Sequence, residues 1–588
     1  MRSSRLLAAL LPLLSVACGS KSEDPQVSGP PPRSLVGHPK NAELPPDLVC
    51  PGDPACAPSD DANLFAGVAV EKITPAITEK LTFSAKGKPW EYRATGGDKF
   101  EDTNGNGVFD ATWIAGFGTG RAAAGVSDDT YVRALVLKQG NTKIAMVSVD
   151  CIGWMYEEVV RTREQLKAEG VDLSYVLVGA THVHETRDTM GIWGVDDATS
   201  GLDKKYNELI RNQTVKAIKS ALASAERVNA TFGAIKVDGH LKDSDPLGKG
   251  VKAFVSDGRD PVIIDLTMNT MRLTRAGGDK GTVATVVNFG SHPEFAGSEN
   301  TMLSSDFNST LRESVEKGID VGPMKKAGLG GVALFFQGAC GGQIGPGQVE
   351  VADATGKAYP ESSDADPSIG LARAKAIGVN YAYYALTSLD AGQGAASFET
   401  VRLGARIRKV YGAVENRGYH VAIASRLFDR TAYHYDTALP INAENQPDIL
   451  TEVGVLDIGP AQILTIPGEI HPELVVGMTP ELTPAPYTRV APGNKNPPKL
   501  DKAPSGGHLL SFADPAAKFH WTLGMANDEI GYIVPSWNYE LDPVDPYYEE
   551  AAGDHYEETN SIGPKVEAEI VEPLRDLLQK TKTPIARP

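Results

Sequence analysis

The segment Tyr175-Val176-Leu177-Val178-Gly179-Ala180-Thr181-His182-Val183-His184 carries an apolar run straight into a His-x-His pair. In an extended chain residues i and i+2 share a face, so the spacing predicts that His182 and His184 point into one cavity. Two more apolar runs end in the same way: Ala284 to Phe289 leads into Gly290-Ser291-His292-Pro293-Glu294, and Ala461 to Ile466 leads into Pro467-Gly468-Glu469. Loops at strand ends rest on a rigid base, and the active groups of α/β sheets collect there. Three imidazoles and a carboxylate form the nitrogen and oxygen set that suits zinc with an open position. Each histidine alone reads more readily as a structural residue. The arrival of all these donors at equivalent strand ends is what favours a metal.

Competing chemistries lack their patterns. His184-Glu185-Thr186-Arg187-Asp188 falls one residue short of a zincin HExxH, and it follows a strand where that motif needs a helix. No GxSxG nucleophile elbow is present. Asp150, at the end of Ile144 to Val149, is placed to join a polar site.

The elements that must hold these residues alternate in period. Tyr131 to Leu137 and Lys143 to Val149 read as strands around Gln139-Gly140-Asn141, and Tyr156 to Ala168 as a helix closed by Gly170. Lys204 to Ala225 is a long amphipathic helix, and Asp306 to Lys317 a second one with Ser305 or Asp306 as N-cap. Val332 to Gln337 reads as a strand, Ile369 to Leu389 as a helix, and Pro564 to Gln579 as a closing helix. The expected fold is α/β, with mixed β-sheets layered with helices in one large domain over residues 62–580 and a tail at 581–588.

These residues resemble the neutral/alkaline non-lysosomal ceramidase family, secreted zinc amidases that split N-acylsphingosines. The likeness runs from about Phe65 to Leu578: Thr181-His182-Val183-His184, Ser291-His292-Pro293, Asn300 to Asp306, Pro467-Gly468-Glu469, Gly524 to Tyr532 and Tyr556-Glu557 follow the family's motifs in order. The resemblance implies His182, His292, Glu469 and Tyr532 as zinc ligands. It implies His184 and Tyr556 as the groups that steady the oxyanion and move protons. Two segments depart from the family. Its "GDVSPN" is Gly341-Gly342-Gln343-Ile344-Gly345-Pro346 within the run from Gly338, and its "SGPGG" is Glu185 to Gly194. No β-sandwich domain is expected after Tyr556. The resemblance thus implies a zinc-dependent hydrolase acting on a lipid-like amide; the alternative is a decayed ceramidase fold serving as a surface binding lipoprotein.

The remaining features concern setting. Arg2 and Arg5 precede the apolar stretch Leu6 to Ala17, which is too short to span a bilayer, and Leu14 to Gly19 resembles a lipobox around Cys18. An exported protein, either anchored by lipid on Cys18 or plainly secreted, is expected. Residues 19–61 read as a disordered tether rich in Pro, Ser and Gly. Cys50 and Cys56 are close enough for a small disulfide loop, whereas Cys151 and Cys340 read as buried thiols. Asp102, Asn104, Asn106, Val108 and Asp110 occupy positions 1, 3, 5, 7 and 9 of an EF-hand-like loop, but position 12 is Trp113, so calcium and an ion-free turn both stand open. In 588 residues, 57 Lys and Arg against 75 Asp and Glu give a net charge of -18, which argues against nucleic acid as partner. Hydrophobic residues at 41% indicate a globular chain. Oligomeric state is left open.

Overall fold

Several strands are apolar at consecutive positions because both of their faces are covered. In Tyr131–Gln139, Leu135 and Leu137 join one core while Val132, Ala134 and Val136 join another on the opposite face. Ile144 and Met146 alternate with Ala145 and Val147 in the same manner, and Leu456 and Ile458 with Val453 and Val455. The period of two along a strand thus builds two cores from one segment.

The protein is seen here as a computed structural model that describes residues 44–83, 92, 97–237, 255–277, 281–322, 324–344, 351, 359, 368–436, 439–440, 442, 445–483, 488–580 and 584–587. The expected leader, Cys18 and most of the expected tether lie outside the described residues. No helix among the described residues is long and apolar enough to cross a membrane.

A nine-stranded mixed sheet runs in the order Val332–Gln337, Thr282–Phe289, Thr267–Arg275, Glu226–Lys236, Leu64–Lys72, Tyr131–Gln139, Thr142–Val149, Tyr175–Ala180, with Ala396–Phe398 also paired to Glu226–Lys236. A five-stranded sheet orders Leu48–Cys50, Leu403–Ala413, Asp448–Ile458, Ala461–Thr465 and Phe519–Leu523. The two sheets share a core in which Leu135, Leu177, Phe232 and Phe336 meet Leu403, Leu456, Ile463 and Trp521. Helices Tyr156–Ala168 and Lys204–Ala223 cover one half of the large sheet's outer face, and Phe307–Lys317 and Ser368–Ser388 the other. The closing helix Glu572–Lys580, preceded by a π-helical turn Glu567–Val571, buries Leu574 and Leu577 on the outer face of the smaller sheet. The result is helix, sheet, sheet, helix: the α/β layering that the alternation of periods predicts.

The last part of the expected tether is structured. Leu48–Cys50 pairs antiparallel with Ile407 to Ala405, Asp47 accepts from Arg408 at 2.7 and 2.9 Å, and Cys50 is joined to Cys56 with a Cα–Cα distance of 5.5 Å. The Pro-rich composition masked this short edge strand, because only three residues carry its pattern.

Asp150 is a structural group. Fully buried, it accepts both Arg312 Nη atoms at 2.7 and 2.8 Å, together with Ser305 Oγ at 3.1 Å and Thr181 Oγ1 at 3.3 Å. It therefore anchors the residue just before His182. Asp150→Asn leaves a buried guanidinium short of its counter-charge and should cost about 3–5 kcal/mol, read as a fall in Tm and in the urea midpoint.

Candidate metal centre

Three parallel strand pairs sit within these largely antiparallel sheets, and parallel partners end on the same edge. Thr142–Val149 with Tyr175–Ala180 delivers Ile152, His182 and His184; Thr282–Phe289 with Val332–Gln337 delivers His292, Glu294 and Cys340. Ala461–Thr465 with Phe519–Leu523 delivers Glu469 and the segment from Met525 to Tyr532. Backbone bonds then lock the three ends together. Asn527 N–H donates to Val178 O at 2.7 Å, His184 N–H to Pro293 O at 3.1 Å, and Gly341 N–H to Ile470 O at 3.0 Å.

His182 Nδ1–H donates to Ile152 O at 2.7 Å, and His292 Nδ1–H to Gln343 O at 2.9 Å. A carbonyl can only accept, so each ring carries a proton on Nδ1 and turns Nε2 to the cavity. Burial would lower the His292 pKa, but the hydrogen bond and charge of Glu469 raise it to about 9, so a bound cation would take the place of a second proton on Nε2. Both Nε2 atoms face the same carboxylate oxygen, Glu469 Oε2, at 3.2 and 2.9 Å. All three side chains are buried. Burial alone would raise the Glu469 pKa, yet the imidazoles of His182 and His292 hold it well below the usual carboxylate range. A carbonyl on the far nitrogen of each ligating histidine is the usual support of a metal-binding imidazole. The donor set therefore fits a divalent ion such as zinc.

His184 shares the cavity, its ring 5.0 Å from that of His182 and 5.7 Å from that of His292. The two histidines of the His-x-His pair do face one space, but not through strand alternation. The strand ends at Ala180, and His182 takes a left-handed φ of 66° that turns the chain into the cavity. Neither ring nitrogen of His184 has a hydrogen-bond partner, and Glu294 Oε2 stands 3.7 Å from its Nδ1. Burial, followed by the neighbouring His182 and His292, pushes its pKa well below the ordinary value. Gly116, at φ 115°, packs under this ring: a Cβ there would lie 2.5 Å from His184 Cβ.

Tyr532 pairs in register with Glu469 through a short parallel bridge, and its hydroxyl lies 3.1 Å from that of Tyr556. Burial raises both phenols well above their usual pKa, so both keep their protons; the charge of Glu469 adds to the effect on Tyr532, and that of Glu557 to the effect on Tyr556.

Two donors at this centre were not singled out as site residues from sequence. Cys340 Sγ lies within 4.8 Å of donor atoms of His292 and Glu469, and a Glu529 oxygen within 4.8 Å of donors of His182 and Glu469. Cys340 ends an apolar run and reads as an ordinary core thiol; Glu529 hides beside Asp528 in the polar run Asn527-Asp528-Glu529. Position after a strand end is the signal that would have found both. Beside them, buried Arg259 donates to Glu557 at 2.8 Å and to both oxygens of Glu558 at 2.7 and 2.8 Å, fixing the turn that carries Tyr556.

The two departing segments shape the surroundings. A Cβ on Gly341 would meet Glu469 O at 2.6 Å, and one on Gly342 would meet the Asp257 carboxylate at 2.9 Å, so a second acid occupies the space beside Gly342. Gly345 and Pro346 lie outside the described residues. In the other segment Asp188 accepts the N–H groups of Met190 and Gly191 at 2.8 Å and of Trp193 at 3.0 Å. The loop so folded lines a cleft with Ile192, Tyr419, Phe428, Tyr547 and Asn560. Tyr419 joins cleft and centre, its hydroxyl 3.1 Å from where a Gly531 Cβ would stand, while Gly531 O accepts from Glu469 N–H at 3.1 Å. Tyr547 and Tyr548 of the Tyr- and Pro-rich stretch after Ser536 form part of the same wall.

The Asp102 to Asp110 loop is on the surface, apart from this machinery. Asn104 and Asn106 both donate their amides to Asp110 Oδ2 at 2.8 Å, and Asp102 accepts Gly105 N–H at 2.7 Å and Gly107 N–H at 2.9 Å. Val108 is 59% exposed and Trp113 is buried. With the loop closed by its own bonds, equal Tm values in calcium and in a calcium-selective chelator are expected; a rise in calcium would restore the ion that the spacing suggests.

No protein-family model and no curated protein sequence matches the chain. Solved structures do match. Neutral ceramidase from Pseudomonas aeruginosa aligns over 90% of this chain and 77% of its own, with a TM-score of 0.54 at 15% identity. A ceramidase complexed with C2 aligns over the same shares, with a TM-score of 0.53 at 14% identity. The layered sheets that bring His182, His292 and Glu469 together are thus those of the neutral ceramidase fold, and this chain has that fold.

Proposed function

We propose that the protein is an exported zinc hydrolase that cleaves the amide bond of an N-acylated, ceramide-like lipid, held at the membrane by a lipid on Cys18. One observation carries the reading: the Nε2 atoms of His182 and His292 converge on Glu469 Oε2, each ring fixed from behind by a backbone carbonyl. Tyr532, paired in register with Glu469, completes the proposed ligand set. Zinc bound there would polarise the scissile carbonyl and lower the pKa of water to about 7.

The other residues take the proton work. His184, neutral and without a partner, can accept the proton released by the attacking water and return it to the leaving amine as the C–N bond breaks. Tyr556 keeps its proton and can donate a hydrogen bond to the developing oxyanion. The aromatic cleft beside Tyr419 suits an apolar chain. A disulfide between Cys50 and Cys56 favours an oxidising compartment, in keeping with export. The likeness to neutral ceramidases supports the choice of an amide bond.

The test is release of fatty acid from a panel of N-acyl amides, led by an N-acylsphingosine. Chelation should abolish turnover and zinc should restore it. A folded, zinc-loaded protein that releases nothing from any member would sink the hydrolase reading in favour of a lipid-binding one.

A further inference from the structure

The cleft beside the centre is built from two kinds of side chain. Tyr419, Phe428, Tyr547 and Tyr548 give it aromatic walls, Asp197 and Glu550 give it acids, and no lysine, arginine or histidine lines it among the described residues. Tyr419 and Phe428 meet edge to face with ring centroids 5.2 Å apart. Tyr547 is held at a left-handed φ of 70°, a conformation that a bulky residue keeps only under constraint from its surroundings.

Neither acid is neutralised by a neighbour. Asp197 accepts the Thr119 hydroxyl at 3.0 Å and Glu550 accepts the His555 backbone N–H at 3.2 Å, both uncharged donors, and neither carboxylate has an ion-pair partner among the described residues. The cations nearby are placed otherwise. The His555 ring bonds Glu558 at 3.0 Å, and Arg417, whose charge reaches Tyr547 and Tyr548, is exposed and stands outside the lining. Partial burial raises the pKa of both acids, against the hydrogen bonds they accept. A cation seated beside them would reverse that shift.

Aromatic rings and carboxylates attract the same group for different reasons: the ring quadrupole draws an ammonium to the ring face, and the carboxylate adds its net charge. A hydrocarbon chain uses the rings but takes water from two acids and returns nothing. An alkylammonium uses both. The cleft also abuts the reaction centre, since Tyr419 reaches Gly531, whose carbonyl accepts Glu469 N–H at 3.1 Å.

We propose that the cleft takes an alkylammonium group at the end of one arm of the substrate, so that the preferred substrate is an N-acyl amide with a cationic terminus. The link to the substrate rests on the hydrolase reading above; the binding of the cation does not.

Isothermal titration calorimetry of the full-length, zinc-loaded protein tests the site with choline and with 3,3-dimethylbutan-1-ol, which keeps the shape but has carbon in place of the charged nitrogen. Mildly alkaline buffer keeps both carboxyls ionised. Choline should bind more tightly by about tenfold or more. Glu550→Gln and Tyr548→Leu should each remove most of that advantage and leave the alcohol's affinity within about twofold, with far-ultraviolet circular dichroism unchanged. Equal affinities in the wild type, no detectable binding of either probe, or an advantage that persists in both variants overturns the inference. Turnover supplies the second arm: of two N-acyl amides ending in trimethylammonium or in tert-butyl, the first should have a kcat/KM higher by about tenfold, mainly through KM, with parity in Glu550→Gln. Equal kcat/KM for the two amides in the wild type overturns the assignment of the cleft to the substrate. Choline selectivity with no hydrolysis of any amide overturns the hydrolase reading and leaves the cation site, so the two failures are told apart.

Discussion

Glu469→Ala is expected to empty the centre of metal and to lower kcat/KM by at least 10³-fold, on the order of 4 kcal/mol of transition-state stabilisation. The expectation follows from position. Glu469 Oε2 lies within 3.2 Å of both imidazole Nε2 atoms, and it supplies the anionic charge between them. Without it the two histidines present neutral donors alone to a divalent cation in a buried space. Glu469→Gln keeps the shape, loses the charge and should retain some metal at high free zinc. Elemental analysis beside the rate separates the causes: a variant that is slow but keeps its zinc would mean that Glu469 acts on the substrate and is no ligand. The fold should survive, because no hydrogen-bond partner of the carboxylate lies outside the centre among the described residues. His292→Ala should follow the same course, since the bond from its Nδ1 to Gln343 O is the ring's single tie to the surrounding framework among the described residues.

How far the sequence led depends on what each residue advertises. The strands that end in the site were legible because both of their faces are apolar, and an unbroken run such as Tyr175 to Ala180 has few other readings. Helix Tyr156–Ala168 was legible to the residue, with Glu157 and Glu158 in its first turn and Lys167 in its last. The convergence of His182, His292 and Glu469 was inferred from strand ends, and three parallel pairs are its physical cause. Where sequence fell short, the missing information was nonlocal. Nothing near Leu48–Cys50 announces that Leu403–Ala413 will offer it an edge, and so a paired strand read as tether. Cys340 and Glu529 are ordinary in their own neighbourhoods; only the approach of His292 and His182 places them at the centre. The left-handed φ of His182 was equally hidden, since the turn is imposed by the backbone bonds Thr181 N–H to Val149 O and Val183 N–H to Cys151 O.

His184→Ala should keep the metal and lose on the order of 10²–10⁴ in kcat, the range for removing a positioned acid or base. The two histidines differ by what stands behind them. His182 is braced by Ile152 O, which fixes Nε2 toward Glu469, whereas both nitrogens of His184 lack a hydrogen-bond partner and are at liberty to exchange a proton. The pH profile gives a second reading of the same role. Burial, then His182 and His292, place the His184 pKa well below 6.5, and a divalent cation next to it pushes in the same direction. A base with a depressed pKa is unprotonated at neutral pH and remains so as pH falls through 6.5. The acid limb of kcat should therefore lie below the ordinary histidine value in the wild type and disappear from the residual activity of His184→Ala. Gly116→Ala offers a milder version, since its new Cβ would stand 2.5 Å from His184 Cβ and 2.7 Å from Nδ1 at a backbone φ of 115°. That variant should bind zinc as the wild type does and lose kcat with little change in KM, because it displaces the proton carrier while leaving the ligands in place. Equal loss of metal in Gly116→Ala and His184→Ala would instead make His184 a ligand, and would move the proton work to Tyr556.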